Sequence, residues 1–220
     1  MDHGVRGPYH HRLDELTLRG AVATTVDLIR HGEPEGGRRY RGSVDDPLTD
    51  KGWQQMQAAV GDGCPWNVIY TSPLRRCRAF ADALGERHGV PVIVDPRLQE
   101  QGFGAWEGRS PDELRRIDPD QLRRFHADPV HARPEGAEDP EDFRARVVDC
   151  WREILQRHPD GQVLIVGHAG TLRAIVSHVL DTPLHAMFRY SIAYAARVRI
   201  RGGGERPPAL AFEAVPPPGE

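Results

Sequence analysis

The residues most able to do chemistry sit at three junctions of one kind. Arg30-His31-Gly32-Glu33, Thr71-Ser72-Pro73-Leu74-Arg75-Arg76 and Gly167-His168-Ala169-Gly170 each follow a short apolar run and open a polar or Gly/Pro-rich turn. Short apolar runs bounded by turn signals read as buried strands. In open α/β sheets, ligands bind beyond the carboxyl ends of the strands, where helix N-termini present free N–H groups to an anion. The pattern predicts one anion pocket that gathers two histidines and at least two arginines from distant parts of the chain. A single histidine after a strand is more often a surface or satisfied residue, so the weight rests on the set.

Such a pocket needs a scaffold, and the flanking sequence supplies one. Residues 24–29 (TTVDLI), 67–70 (NVIY), 91–94 (PVIV) and 162–166 (QVLIV) read as strands, with closing strands over 191–200 and 209–214. Thr49 is placed to cap a helix over 50–60. Ser72-Pro73, a cap residue and then proline, predicts the start of a second helix that Gly89 closes. Residues 109–128 predict two short surface helices, divided at Asp118-Pro119. A long amphipathic helix follows over 140–158, with Phe143, Val147, Val148, Trp151, Ile154 and Leu155 on one side as core residues. Another helix is expected over 171–180. This alternation predicts an α/β three-layer sandwich: a mostly parallel sheet flanked by helices on both faces.

The junctions also carry a resemblance. Arg30-His31-Gly32-Glu33 resembles the RHG signature of the histidine phosphatase (phosphoglycerate mutase-like) superfamily. Four further elements follow in that family's order. They are the stretch from Gly42 to Gly52 with Asp46-Pro47-Leu48-Thr49 at its centre, then Ser72-Pro73-Leu74-Arg75-Arg76, then Leu98-Gln99-Glu100 with Phe103-Gly104-Ala105-Trp106-Glu107-Gly108, and finally Val166-Gly167-His168-Ala169-Gly170. The resemblance implies roles. His31 is the nucleophile that becomes phosphohistidine, and Arg30 and Arg76 clamp the phosphoryl oxygens. Glu100 is the general acid, and His168 lines the phosphoryl pocket. The backbone N–H of Ala169 and the side chain of Arg41 are further candidates for phosphate or substrate contact. No cofactor is implied, and the expected partner is a small phosphomonoester.

Elementary chemistry supports these roles. A neutral imidazole nitrogen attacks phosphorus, and the resulting phosphoramidate hydrolyses readily. Neighbouring guanidiniums hold the imidazole neutral by like-charge repulsion and match phosphate oxygens with planar forks. A leaving alkoxide needs a proton, hence a carboxylic acid within reach. Rivals stay open at this point: Arg75 for Arg76, and Glu107 for Glu100, although Glu107 reads better as a structural hydrogen-bonding partner. Arg173 and the basic loop Arg38-Arg39-Tyr40-Arg41 are placed either to touch an anionic part of a substrate or to remain solvated.

Departures from the family pattern lie at the rim. Pro34 stands where a threonine is usual, Gly36-Gly37-Arg38 lacks the usual asparagine, and Ala169 replaces a glycine. Glu138 is the nearest match to a Gly-Glu-Ser element. The stretch from Phe103 to Gly108, and the absence of room for a mutase insertion, set the hydrolases ahead of the mutases. The alpha-ribazole phosphatase branch is the best likeness, with alpha-ribazole 5′-phosphate as the substrate it implies. A non-catalytic binder of phosphorylated ligands is the alternative from another class.

The bulk numbers narrow the classes further. At 220 residues, the chain is expected to form one catalytic domain over 24–214, with a loose extension over 1–23 and a disordered tail over 215–220. A net charge of −3 argues against nucleic acid or a membrane surface as partner. Its apolar runs are too short to span a bilayer. Cys64, Cys77 and Cys150 form no metal or disulfide pattern and read as buried thiols. With no apolar leader at the start, the expected location is cytoplasmic. The eleven histidines show no HxH or HExxH spacing, so no metal site is expected.

Overall fold

The computed structural model describes residues 23–202 and 208–211. The expected tail, the end of the last strand over 212–214 and all but one residue of the expected extension lie outside them. Six strands form one sheet: β1 (Thr24–Arg30), β2 (Val68–Thr71), β3 (Val92–Val94), β4 (Gln162–Gly167), β5 (Arg197–Gly202) and β6 (Ala209–Ala211). Their spatial order is β3-β2-β4-β1-β5-β6. The first four are mutually parallel, while β5 and β6 run antiparallel at one edge. Among the described residues, six α-helices accompany them: α1 (Asp50–Val60), α2 (Arg75–His88), α3 (Pro111–Ile117), α4 (Pro119–Ala127), α5 (Pro140–Arg157) and α6 (Ala169–Val179).

Burial on both faces explains why the central strands read as unbroken apolar runs. Successive side chains alternate across the sheet. Val26, Leu28, Val163 and Ile165 point to the layer of α5 and α6, where Phe143, Val147, Trp151, Leu172 and Ile175 complete the core. Ile29, Ile69, Leu164 and Val166 point the other way, against Met56, Phe80, Ala81 and Leu84 from α1 and α2. Asp27 is the exception on β1. It is almost fully buried, and it accepts from Trp66 Nε1 and from a two-pronged Arg199 at 2.8–2.9 Å. A third, smaller cluster of Trp106, Leu114, Leu122 and Phe125 joins α3 and α4 to Tyr40 and Phe103. Cys77 and Cys150 are buried, whereas Cys64 is only half-buried.

Register then positions the junctions. Arg30 pairs with Gly167 across β1 and β4, and Thr71 pairs with Val166 across β2 and β4. The next residues, His31, His168 and Ser72, therefore leave the sheet side by side.

Three expectations about boundaries need correction. Helix α2 starts at Arg75, not at Pro73, because a distant carboxylate takes over the cap: Asp45 Oδ1 accepts from Arg75 N at 2.6 Å. Helix α6 starts at Ala169, directly after His168, two residues before the sequence suggested. Residues 191–196 are loop, not strand; Ala195 adopts a left-handed φ of 55° there, which strand geometry excludes.

Candidate active site

The junctions converge on a cleft of about 500 Å³ whose lining includes Arg30, His31, Arg76, Glu100, Ala169 and Arg173. His31 lines this cleft, whereas His168, expected to line it, is not among the lining residues and packs behind His31. The two ring centroids lie 5.2 Å apart, edge to face. His31 is 5% exposed and His168 fully buried. Nδ1 of His31 lies 2.7 Å from the Gly32 carbonyl, so it carries the proton and donates it there. That tautomer leaves a bare lone pair on Nε2. Nε2 of His168 sits 2.7 Å from Ser72 Oγ. The hydroxyl that the sequence assigned to capping α2 orients this ring while also accepting from Leu74 N at 3.3 Å, one residue before the helix.

Electrostatics holds both rings neutral. The pKa of His31 is pushed well below 6.5, first by burial and then by the charges of Arg76 and Arg30. His168 is depressed in the same direction, again first by burial and then by Arg76 and His31. Repulsion from the guanidiniums, the cause expected from the sequence, is present but ranks second.

The two candidate clamps are fixed by backbone carbonyls. Arg76 is 1% exposed and donates to Val44 O at 2.7 Å and Gly42 O at 3.2 Å. Arg75 is exposed and outside the cleft lining. Arg30 donates to Ile192 O, and its guanidinium carbon lies 4.1 Å from the centroid of the Tyr194 ring. Each of these arginines keeps a buried Nε with no hydrogen-bond partner among the described residues. A buried donor left unsatisfied is costly, so these nitrogens are built for an acceptor.

Glu100 reaches the cleft from the loop behind the 3₁₀ turn Pro96–Leu98. Its Oε2 accepts from Gly170 N at 3.2 Å in the first turn of α6, and its Oε1 from Gln101 N at 3.0 Å. Gly170 leaves room for this approach, since a Cβ there would lie 2.2 Å from Glu100 Oε1. Arg146 of α5 supports the same loop by donating to the carbonyls of Arg97, Gln99 and Glu100. Glu138 ion-pairs with Arg146 at 2.6 Å and accepts from Gly102 N. Glu138 thus braces the Glu100 loop from behind.

The rivals find other work. Glu107 accepts from Phe103 N at 2.9 Å and from Ser43 Oγ, which ties two loops together outside the cleft lining. Arg41 lines the cleft, yet it donates to Asp46, Glu35 O and Gly37 O, so most of its hydrogen-bonding capacity shapes its own loop. Arg38 and Arg39 are exposed at the cleft lining. Sequence reasoning missed Tyr194, because the loop carrying it read as strand, and Arg146, because an arginine on an amphipathic helix gives no positional signal. Among the described residues, no group of three His, Cys, Asp or Glu side chains is placed to hold a metal ion. No described helix is long and apolar enough to cross a membrane.

Comparison with known proteins gives the same picture. A family model, the histidine phosphatase superfamily (branch 1), matches residues 26–214. Bifunctional protein Rv2228c of Mycobacterium tuberculosis is 31% identical over 180 residues, 79% of this chain and 49% of that protein. The chain spans about half the length of that relative and its mycobacterial counterparts. Adenosylcobalamin/alpha-ribazole phosphatase of Escherichia coli is 28% identical over 169 residues, 75% of this chain and 83% of that protein. The solved structure of Bacillus stearothermophilus YhfR superposes with a TM-score of 0.79 at 31% identity, covering 87% of this chain and 96% of that one. Relatives carry both phosphatase and phosphoglycerate mutase names. With the family model matching most of its length, the chain belongs to the histidine phosphatase superfamily, branch 1.

Proposed function

We propose that the chain hydrolyses small phosphomonoesters in two steps through a phosphohistidine at His31, without a metal ion. The observation that carries this reading is the bare Nε2 of His31 in one cleft with two buried guanidinium Nε donors that lack partners. In the first step, the Nε2 lone pair forms a bond to phosphorus while the ester P–O bond breaks. The leaving oxygen keeps that electron pair and takes a proton from the Glu100 carboxylic acid. Arg30, Arg76 and the Ala169 N–H hold the equatorial oxygens; a well-placed donor of this kind is worth about 3 kcal/mol in the transition state. In the second step, Glu100 takes a proton from water, the water oxygen attacks phosphorus, and the N–P bond returns its pair to Nε2. Alcohol and inorganic phosphate leave, and Glu100 is again protonated.

The cleft volume exceeds what one phosphoryl group fills, which leaves space for a leaving group of metabolite size. Alpha-ribazole 5′-phosphate is a candidate on the strength of the Escherichia coli relative. The test is turnover of p-nitrophenyl phosphate with EDTA present. Activity is expected to survive the chelator and to vanish in His31→Ala. Phosphate binding without turnover would contradict the reading, as would turnover that EDTA abolishes.

A further inference from the structure

The cleft holds more positive charge than one phosphate monoester needs. Six arginines line it, and Glu100 is the one acid among the described lining residues. Arg30 and Arg76 face the phosphoryl position, and Arg41 is balanced by Asp46 at 2.9 Å. Arg173 differs from these. It sits on α6 four residues after Ala169, one turn further along the same helix face. Its Nε is buried without a hydrogen-bond partner, and none of the ion pairs among the described residues includes it. The two exposed arginines at the cleft, Arg38 and Arg39, likewise have no ion pair with a carboxylate among the described residues.

Two further facts bear on what Arg173 is for. Its charge adds to burial in lowering the Arg30 pKa, so the two cations repel each other across the cleft. The same lining also has an apolar part, to which Phe125, Pro129, Met187 and Phe188 contribute. A half-buried guanidinium lining a partly apolar cleft, with a spare donor and a like-charged neighbour, is relieved by an anion placed there.

We propose that Arg173 binds a second anionic group, a carboxylate or a further phosphate, carried on the leaving-group side of the substrate. The substrate class is then phosphomonoesters of acidic alcohols, and Arg38 and Arg39 add attraction for such anions at the mouth. This rests on the phosphatase reading and narrows it. Alpha-ribazole 5′-phosphate, whose leaving group is uncharged, falls behind acid-bearing esters on this account.

The test compares phenyl phosphate with its para- and meta-carboxylated analogues. In the native enzyme, the better carboxylated ester is expected to exceed phenyl phosphate in kcat/KM by about tenfold or more, the usual weight of a charged hydrogen bond. In Arg173→Gln that ratio is expected to collapse toward one, and Arg173→Lys is expected to restore part of it. A native ratio near one, or a variant that slows both esters equally, would overturn the inference while leaving the phosphatase reading intact. If neither ester turns over, the phosphatase reading fails instead. Calorimetric binding to His31→Ala then decides the inference: tighter binding of the carboxylated ester, lost in His31→Ala/Arg173→Gln, supports it, and equal affinity overturns it.

Discussion

In the proposed mechanism, one backbone hydrogen bond prepares His31 as the nucleophile. The Gly32 carbonyl takes the Nδ1 proton of His31, and burial with two guanidiniums keeps a second proton off Nε2. The role of Glu100 can be separated from this by varying the leaving group. An alkoxide needs a proton as it departs, whereas p-nitrophenolate does not. Glu100→Gln is therefore expected to lower kcat/KM, which reports the phosphorylation step alone, by about 10²–10⁴-fold on alkyl phosphates and far less on p-nitrophenyl phosphate, as measured by steady-state kinetics. An equal loss on both would assign Glu100 a positioning role. The convergence of Arg30, His31, Arg76 and Glu100 on one cleft, with His168 packed behind His31, was legible because each lies inside an ordered motif. Ser72 was read as a cap, and Tyr194 was not read at all. Their roles depend on partners about a hundred or more residues away in sequence, which no local pattern encodes.

Among the elements, strand register does the assembly. Pairing of β1 with β4 and of β4 with β2 brings three distant turns to one end of the sheet. Helix α6 then presents its first turn to Glu100, and a side chain at position 170 would press on the carboxylate where it now lies. Gly170→Ala is expected to displace the carboxylate and to reproduce the leaving-group split of Glu100→Gln, with alkyl phosphate turnover down about 10²-fold. Circular dichroism and thermal unfolding should stay near native; a grossly unfolded variant would show that the contact supports the fold instead. The central strands were legible because burial on both faces makes their apolar runs continuous. The start of α2 was not, because Asp45 from another loop caps it in place of Ser72. The loop over 191–196 read as strand because apolar patterning cannot register a left-handed Ala195.

At the scale of the molecule, the buried neutral histidines make stability depend on pH. His31 and His168 have folded pKa values well below the 6.5 of the unfolded chain. Below that value the unfolded state binds more protons, so the stability present near neutrality is lost as pH falls through about 6.5 toward the lower folded values. Two such groups set a limiting slope of about 2.7 kcal/mol per pH unit, and His158, depressed by burial, acts in the same direction. Urea midpoints are expected to drop between pH 7.5 and 5.5, and to drop less in His31→Asn; a flat profile would contradict the burial of neutral rings. The central claim, a covalent phosphoryl group on His31, is tested most directly by rapid quench with ³²P-labelled substrate. An acid-labile, alkali-stable label is expected on the peptide containing His31 within the first turnover. A pre-steady-state quench with no protein-bound phosphorus, or a label mapped to another side chain, would contradict it.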